Sequence, residues 1–81
     1  MLLEVITPDQ TLYQGNVKSV QLPGTDGSFQ LLENHAPIIS SLKKGAIKIV
    51  DQNNSTESIQ INSGVIEMLH NKVIVLAEPA H

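Results

Sequence analysis

The stretch Val65-Ile66-Glu67-Met68-Leu69-His70-Asn71-Lys72-Val73-Ile74-Val75-Leu76-Ala77, VIEMLHNKVIVLA, decides the fold class. Two runs with apolar residues at period two, Val65 to Leu69 and Lys72 to Ala77, flank the two-residue connection His70-Asn71. A connection of that length reverses the chain into an antiparallel hairpin. In the second run Val73, Val75 and Ala77 share one face and Ile74 and Leu76 the other, so both faces are apolar. Such a strand is central in its sheet, or its outer face is covered by a second protein.

The rest of the chain repeats the period-two pattern between turn residues. Leu2 to Thr7 leads into Pro8-Asp9-Gln10, and Val17 to Leu22 follows a break at Gly15-Asn16. Val20 and Leu22 oppose Ser19 and Gln21, and Pro23-Gly24-Thr25-Asp26-Gly27 then turns the chain into Ser28 to Leu32. Ala46 to Val50 and Thr56 to Ile61 flank the turn formers Asp51-Gln52-Asn53-Asn54-Ser55, and Asn62-Ser63-Gly64 precedes Val65. Between Leu32 and Ala46, Asn34 to Gly45 (NHAPIISSLKKG) reads as a loop with unusually apolar content. No window of about 11 residues holds the i, i+3, i+4, i+7 pattern of an amphipathic helix. The expected architecture is all-β, a sandwich or flattened barrel, as one domain over residues 1–81.

Hydrophobic residues make up 41% and charged residues 16% of the 81, enough to build a core. A chain of this mass folds to roughly 4,800 Å² of surface. There is no cysteine, so the fold relies on packing and partners rather than on disulfides or thiolate-bound zinc. A net charge of −3, one Phe, one Tyr and no Trp leave neither a basic patch nor a stacking platform, which excludes nucleic acid as the partner class. The start, MLLEVITP, lacks a basic n-region and carries Glu4 within its apolar run, so it does not read as a signal peptide, and the chain is expected to begin in the cytoplasm. No run approaches the roughly 20 apolar residues of a membrane span.

Residues capable of chemistry are few. His35, His70 and His81 fall in a loop, a turn and the tail, without HxH or HExxH spacing. Asp26, Glu33 and His35 share a loop-rich region but lack a further strong ligand at close spacing, and Asp26 with Glu33 reads as solvated charge beside turns rather than as a catalytic pair. Ser40-Ser41 has no GxSxG context, and the Pro23 to Gly27 turn is not followed by a helix that could bind phosphate. Lys43-Lys44-Gly45 admits an alternative, a lipoyl- or biotinyl-type carrier with a lysine at a hairpin tip, although the Asp or Met residues that flank the modified lysine in those carriers are missing.

Several motifs together resemble one family over nearly the whole chain. They are TPDQTLYQG at Thr7 to Gly15, PGTDGSF at Pro23 to Phe29, His35-Ala36-Pro37 followed by Leu42-Lys43-Lys44-Gly45, and Ser63-Gly64 with the closing VIVLAE. This set is similar to the N-terminal β-sandwich domain of the epsilon subunit of bacterial F-type ATP synthases. The resemblance implies a flattened sandwich of about ten short strands. It also implies a non-catalytic rotor subunit without cofactor, at the foot of the central stalk, coupling proton flow to ATP synthesis. Its partners would be the gamma subunit and the polar loops of the c-ring, with one copy per complex. Its place would be peripheral, at the cytoplasmic face of the bacterial inner membrane and touching the membrane only through the ring.

The resemblance puts Gly24, Thr25, Asp26, Gly27 and Ser28 against the c-ring, with Gln30 and Glu33 at the margin. His35, Ala36, Pro37, Ile38 and Ile39 are expected at the gamma surface; for the two isoleucines, plugging the end of the sandwich is an equal alternative. Longer members continue into a C-terminal helical hairpin that binds ATP or blocks rotation. No such hairpin follows here, so coupling and assembly are the roles expected.

Overall fold

A computed structural model describes residues 1–80. In chain order the strands are β1 (Leu2–Ile6), β2 (Thr11–Gly24), β3 (Gly27–Leu32), β4 (Ile38–Leu42), β5 (Gly45–Asp51), β6 (Thr56–Leu69) and β7 (Lys72–Pro79). The hairpin read from VIEMLHNKVIVLA joins β6 to β7, with Leu69 opposite Lys72 and Ile66 opposite Val75. His70 and Asn71 both have positive φ, 51° and 60°, as a type I′ turn requires to match the right-handed twist of the strands it joins.

β7 is central. It pairs antiparallel with β6 and parallel with β1. β1 also pairs with β2, β2 with β5, and β5 with β6, so the pairings β1–β7–β6–β5–β2–β1 form a closed circuit. β3 is added beside β2, and β4 beside β6.

The two 14-residue strands turn this circuit into a sandwich. Tyr13 to Asn16 of β2 pair with β1, whereas Ser19 to Gln21 pair with β3 on one side and β5 on the other. Thr56 to Ile61 of β6 pair with β5, and Gly64 to Met68 with β4. Register shifts fall at Val17/Ser19 and at Ile61/Ser63, where each strand passes from one layer to the other. Bulges and bends are the usual means by which a strand serves two sheets.

One layer therefore contains β3, the second half of β2, β5 and the first half of β6. The other contains the start of β2, β1, β7, the second half of β6, and β4. Glycine at Gly64 is required by close approach at the second corner, since a Cβ there would lie 2.8 Å from the Leu76 carbonyl oxygen.

Three features differ from the sequence expectation. Gly15-Asn16, read as a break, pairs with β1 just before the corner of β2, and Asn62-Ser63-Gly64 is a corner inside β6, so both strands continue, which is one reason the strand count is seven rather than about ten. Ile38 to Leu42 of the apolar loop is a strand, and its apolar content follows from that. Its pattern hides it: the inward set is Ile38, Ser40 and Leu42, and the outward set is Ile39 and Ser41, so a serine points in and an isoleucine out.

The core is formed by the alternate residues of every strand. Leu3, Val5, Val20, Leu22, Leu31, Ile47, Ile61, Ile66, Val73 and Val75 are completely buried, and Ile49 and Met68 nearly so. The accessible surface of 4751 Å² matches the value expected from mass alone, so the small core closes fully without disulfides.

Candidate functional site

The outer face of the layer containing β7 is the main departure from an ordinary solvated surface. Because β1, β7, β6 and β4 are paired in known register, its side chains form rows across the strands. One row is Ile6, Leu76, Val65 and Ser41; the next is Glu4, Ile74, Glu67 and Ile39; the third is Leu2, Lys72 and Leu69. Ile39 is 72% exposed and Leu76 54%, and Val65 and Leu69 are also exposed, while Leu2, Ile6 and Ile74 are half-buried. Shallow clefts run along this face, one lined by Pro37, Ile38, Ile39, Glu67, Met68 and Leu69, another by Ile6, Thr7, Pro8, Leu76 and Ala77.

The opposite face is polar. Its corresponding row is Gln30, Gln21, Lys48 and Ser58, above a trough of about 410 Å³ that includes Ser19, Thr56 and Glu57. Near Glu57 the phenol of Tyr13 is pushed up by burial and by the carboxylates of Asp51 and Glu57.

The two contact groups expected from the sequence stand at opposite ends of β3, whose six residues make five steps, or roughly 17 Å. At one end Gly24 pairs with Gly27, leaving Thr25-Asp26 as a two-residue turn, and Gly27 takes φ 126°. Thr25, Asp26, Gly27 and Ser28 are exposed, whereas Gly24 is buried beneath the Phe29 ring and supports the turn rather than lining it. The Thr25 N–H donates to the Ser41 carbonyl at 3.1 Å and the Lys43 N–H to the Pro23 carbonyl at 2.8 Å, tying the turn to the end of β4.

At the other end, His35, Ala36 and Pro37 are exposed. The His35 ring Nδ1 bonds within its own loop, 2.7 Å from the Ala36 carbonyl, and its backbone N–H donates to Leu32 at 3.2 Å. Asn71 holds this loop: its Oδ1 accepts from the Asn34 N–H at 2.8 Å and its Nδ2 donates to Glu33 at 2.9 Å. Glu33 also meets the ammonium of Met1. That ammonium first, then Asn71, hold the Glu33 carboxyl below its ordinary value. Ile38 packs against the core, as the alternative of plugging the sandwich expects, whereas Ile39 faces outward and plugs nothing.

Asp26 lies at the far end of β3 from Glu33 and His35, and among the described residues no three His, Cys, Asp or Glu are grouped to hold a metal. His81 lies outside the described residues. Lys43-Lys44 is not a hairpin tip. β4 and β5 do not pair with each other but follow one another along β6, Leu42 opposite Gly64 and Gly45 opposite Ile61. The carrier alternative loses the geometry it needs. The outward face of β1, β4, β6 and β7 was legible in the sequence only at Ile74 and Leu76; its other members belong together through register alone.

Comparison with known proteins bears on this arrangement. The sequence profile of the family described as ATP synthase, Delta/Epsilon chain, beta-sandwich domain matches residues 1–81. An ATP synthase epsilon chain of Sulfurimonas denitrificans is 45% identical over 78 residues, which cover 96% of this chain and 60% of that one. An ATP synthase epsilon chain of Chlorobium limicola is 40% identical over 76 residues, covering 94% of this chain and 86% of that one. The chain thus spans about three fifths of the length of several relatives it matches.

In fold, it superposes on a chain of the Euglena gracilis mitochondrial ATP synthase OSCP/F1/c-ring structure. The TM-score is 0.87 at 16% identity, over 93% of this chain and 48% of that one. A chain of the Tetrahymena thermophila mitochondrial ATP synthase central stalk/c-ring structure gives 0.78 at 13% identity, over 95% and 62%. With its whole length matched and its closed strand circuit in hand, the chain belongs to the ATP synthase delta/epsilon family, as a beta-sandwich domain.

Proposed function

We propose that this domain is part of the rotor of a proton-translocating F-type ATP synthase, joining the gamma subunit to the c-ring and coupling ion flow to ATP synthesis without itself making or breaking bonds. The observation that carries the reading is the open apolar face of a mid-sheet strand. Leu76 on β7 is flanked by Ile6 on β1 and Val65 on β6, and Ile74 lies next to it on the same face, with Ile39 on β4 beyond Glu67. Contiguous apolar surface in that position favours a protein partner. A standard interface of about 800 Å² per partner is comparable to one whole broad face of a body 30 × 23 × 20 Å in extent.

In this reading gamma covers that face and the neighbouring His35-Ala36-Pro37 loop, with Ile39 in the contact and Ile38 supporting it from the core. The Thr25, Asp26, Gly27 and Ser28 turn meets the polar loops of the c-ring, with Gly24 buttressing the turn. The closed pairing circuit suits the transmission of torque, because force on β7 reaches β2 and β5 through ladders of hydrogen bonds with no unpaired seam. The domain would sit peripherally at the cytoplasmic face of a bacterial inner membrane, touching it only through the ring.

Copurification tests this. Tagged chain expressed with gamma and the catalytic head should recover both in stoichiometric yield, and Leu76→Asp should abolish recovery while leaving the circular dichroism spectrum unchanged. Failure of the folded wild-type chain to bind folded gamma would remove the reading.

A further inference from the structure

The apolar face carries two carboxylates in its middle row. Glu67 lies between Ile39 and Ile74, and Glu4 between Ile74 and Gln14. Among the described residues neither forms an ion pair. Lys72 is the one cation in these rows, at the margin, where it stands opposite Leu69 and Leu2. β7 separates the two acids, which puts their backbones two strand spacings, roughly 10 Å, apart.

Any partner that covers this face removes both carboxylates from water, and a carboxylate dried without a partner is strongly unfavourable. A wholly apolar partner is therefore a poor fit. A second copy related by a two-fold axis is also a poor fit, since it brings two more carboxylates and only one more lysine. We infer that the partner surface on this face presents two basic side chains about 10 Å apart, set among apolar residues, one to Glu67 and one to Glu4. This rests on the reading of that face as the gamma-docking surface and specifies the chemistry gamma must offer there.

Titration calorimetry of the chain with purified gamma from the same organism, at low and high sodium chloride, tests it. The Glu4→Gln/Glu67→Gln variant keeps the size and strand position of both side chains, and its melting curve should overlay the wild type. Its affinity should fall by roughly 10- to 100-fold, and the loss of affinity with added salt should be smaller than for the wild type. Equal or tighter binding of the variant, with an unchanged salt slope, would falsify the inference while leaving gamma as the partner. A wild-type chain that does not bind gamma overturns the docking reading and the inference with it. A concentration-dependent dimer in sedimentation, dispersed by Leu76→Asp, assigns the face to a second copy and overturns the inference as well.

Discussion

Thr25 donates its backbone N–H to the carbonyl of Ser41 at 3.1 Å, so the tip of the β2–β3 hairpin is fastened to the end of β4. The polar turn at the proposed ring-facing end thus takes its position from the other layer of the sandwich. That position depends on Gly24, which pairs with Gly27 directly beneath the turn.

Gly24→Ala should be costly. Its Cβ would stand 2.6 Å from the Gly27 carbonyl oxygen and 2.8 Å from the Phe29 ring, and backbone cannot withdraw as a flexible side chain would. The expected loss is about 1–3 kcal/mol, or roughly 5–20 °C in Tm for a domain of this size. Thermal melting followed by circular dichroism measures it; a shift under about 2 °C would show that the turn relaxes freely.

Ile38 and Ile39 should separate stability from binding. Ile38 is half-buried against the core, so Ile38→Asp sets a charge against apolar side chains and should cost about 2 kcal/mol or more in urea unfolding. Ile39 is 72% exposed, so Ile39→Asp, which sets a carboxylate opposite Glu67, should cost no more than about 1 kcal/mol. Its affinity for gamma should nonetheless fall by roughly tenfold or more. If both variants unfold alike, the outward placement of Ile39 is wrong.

The β6–β7 turn makes a second paired prediction. Both residues have positive φ, which favours glycine over a residue with a Cβ. His70→Gly should therefore stabilise by about 0.5–1 kcal/mol. Asn71→Gly should not, because it also removes the side-chain bonds to the Asn34 N–H and to Glu33. Equal gains in Tm from the two changes would mean that the Asn71 contacts contribute nothing.

Acid stability should report on Glu33. Its carboxyl is held below its ordinary value of 4.5 by the N-terminal ammonium and Asn71, so these contacts favour the folded state when Glu33 is ionised. Their contribution is complete above pH 4.5 and is lost as pH falls below it through the folded-state pKa. Glu33→Gln should be less stable than wild type at neutral pH, with the gap closing as pH drops under that value. Parallel urea titrations at neutral pH and in acid check this, and a gap that persists in acid would point to packing instead.

Much of the fold is legible along the chain because the burial period of a strand is local. VIEMLHNKVIVLA announces a hairpin with a two-sided strand, and the inward sets Val20/Leu22, Ile47/Ile49 and Val73/Val75 are all found in the core. The reading fails where that period is broken or where the backbone bends without stopping. Ile38-Ile39-Ser40-Ser41-Leu42 sends a serine inward and an isoleucine outward, and Gly15-Asn16 and Asn62-Ser63-Gly64 carry turn residues through continuous ladders.

The sequence by itself therefore determined the all-β class, the β6–β7 hairpin, the excess of apolar residues on β7 and the family motifs. Only the tertiary structure decided that β1 runs parallel beside β7, that β2 and β6 each serve both layers, and that Ile39, Val65, Leu76 and Ile6 share one open face with Glu4 and Glu67. The physical reason is range. Alternation depends on neighbours two positions apart, while a docking face depends on the register between strands up to some 70 residues apart, such as β1 and β7, which no local pattern encodes.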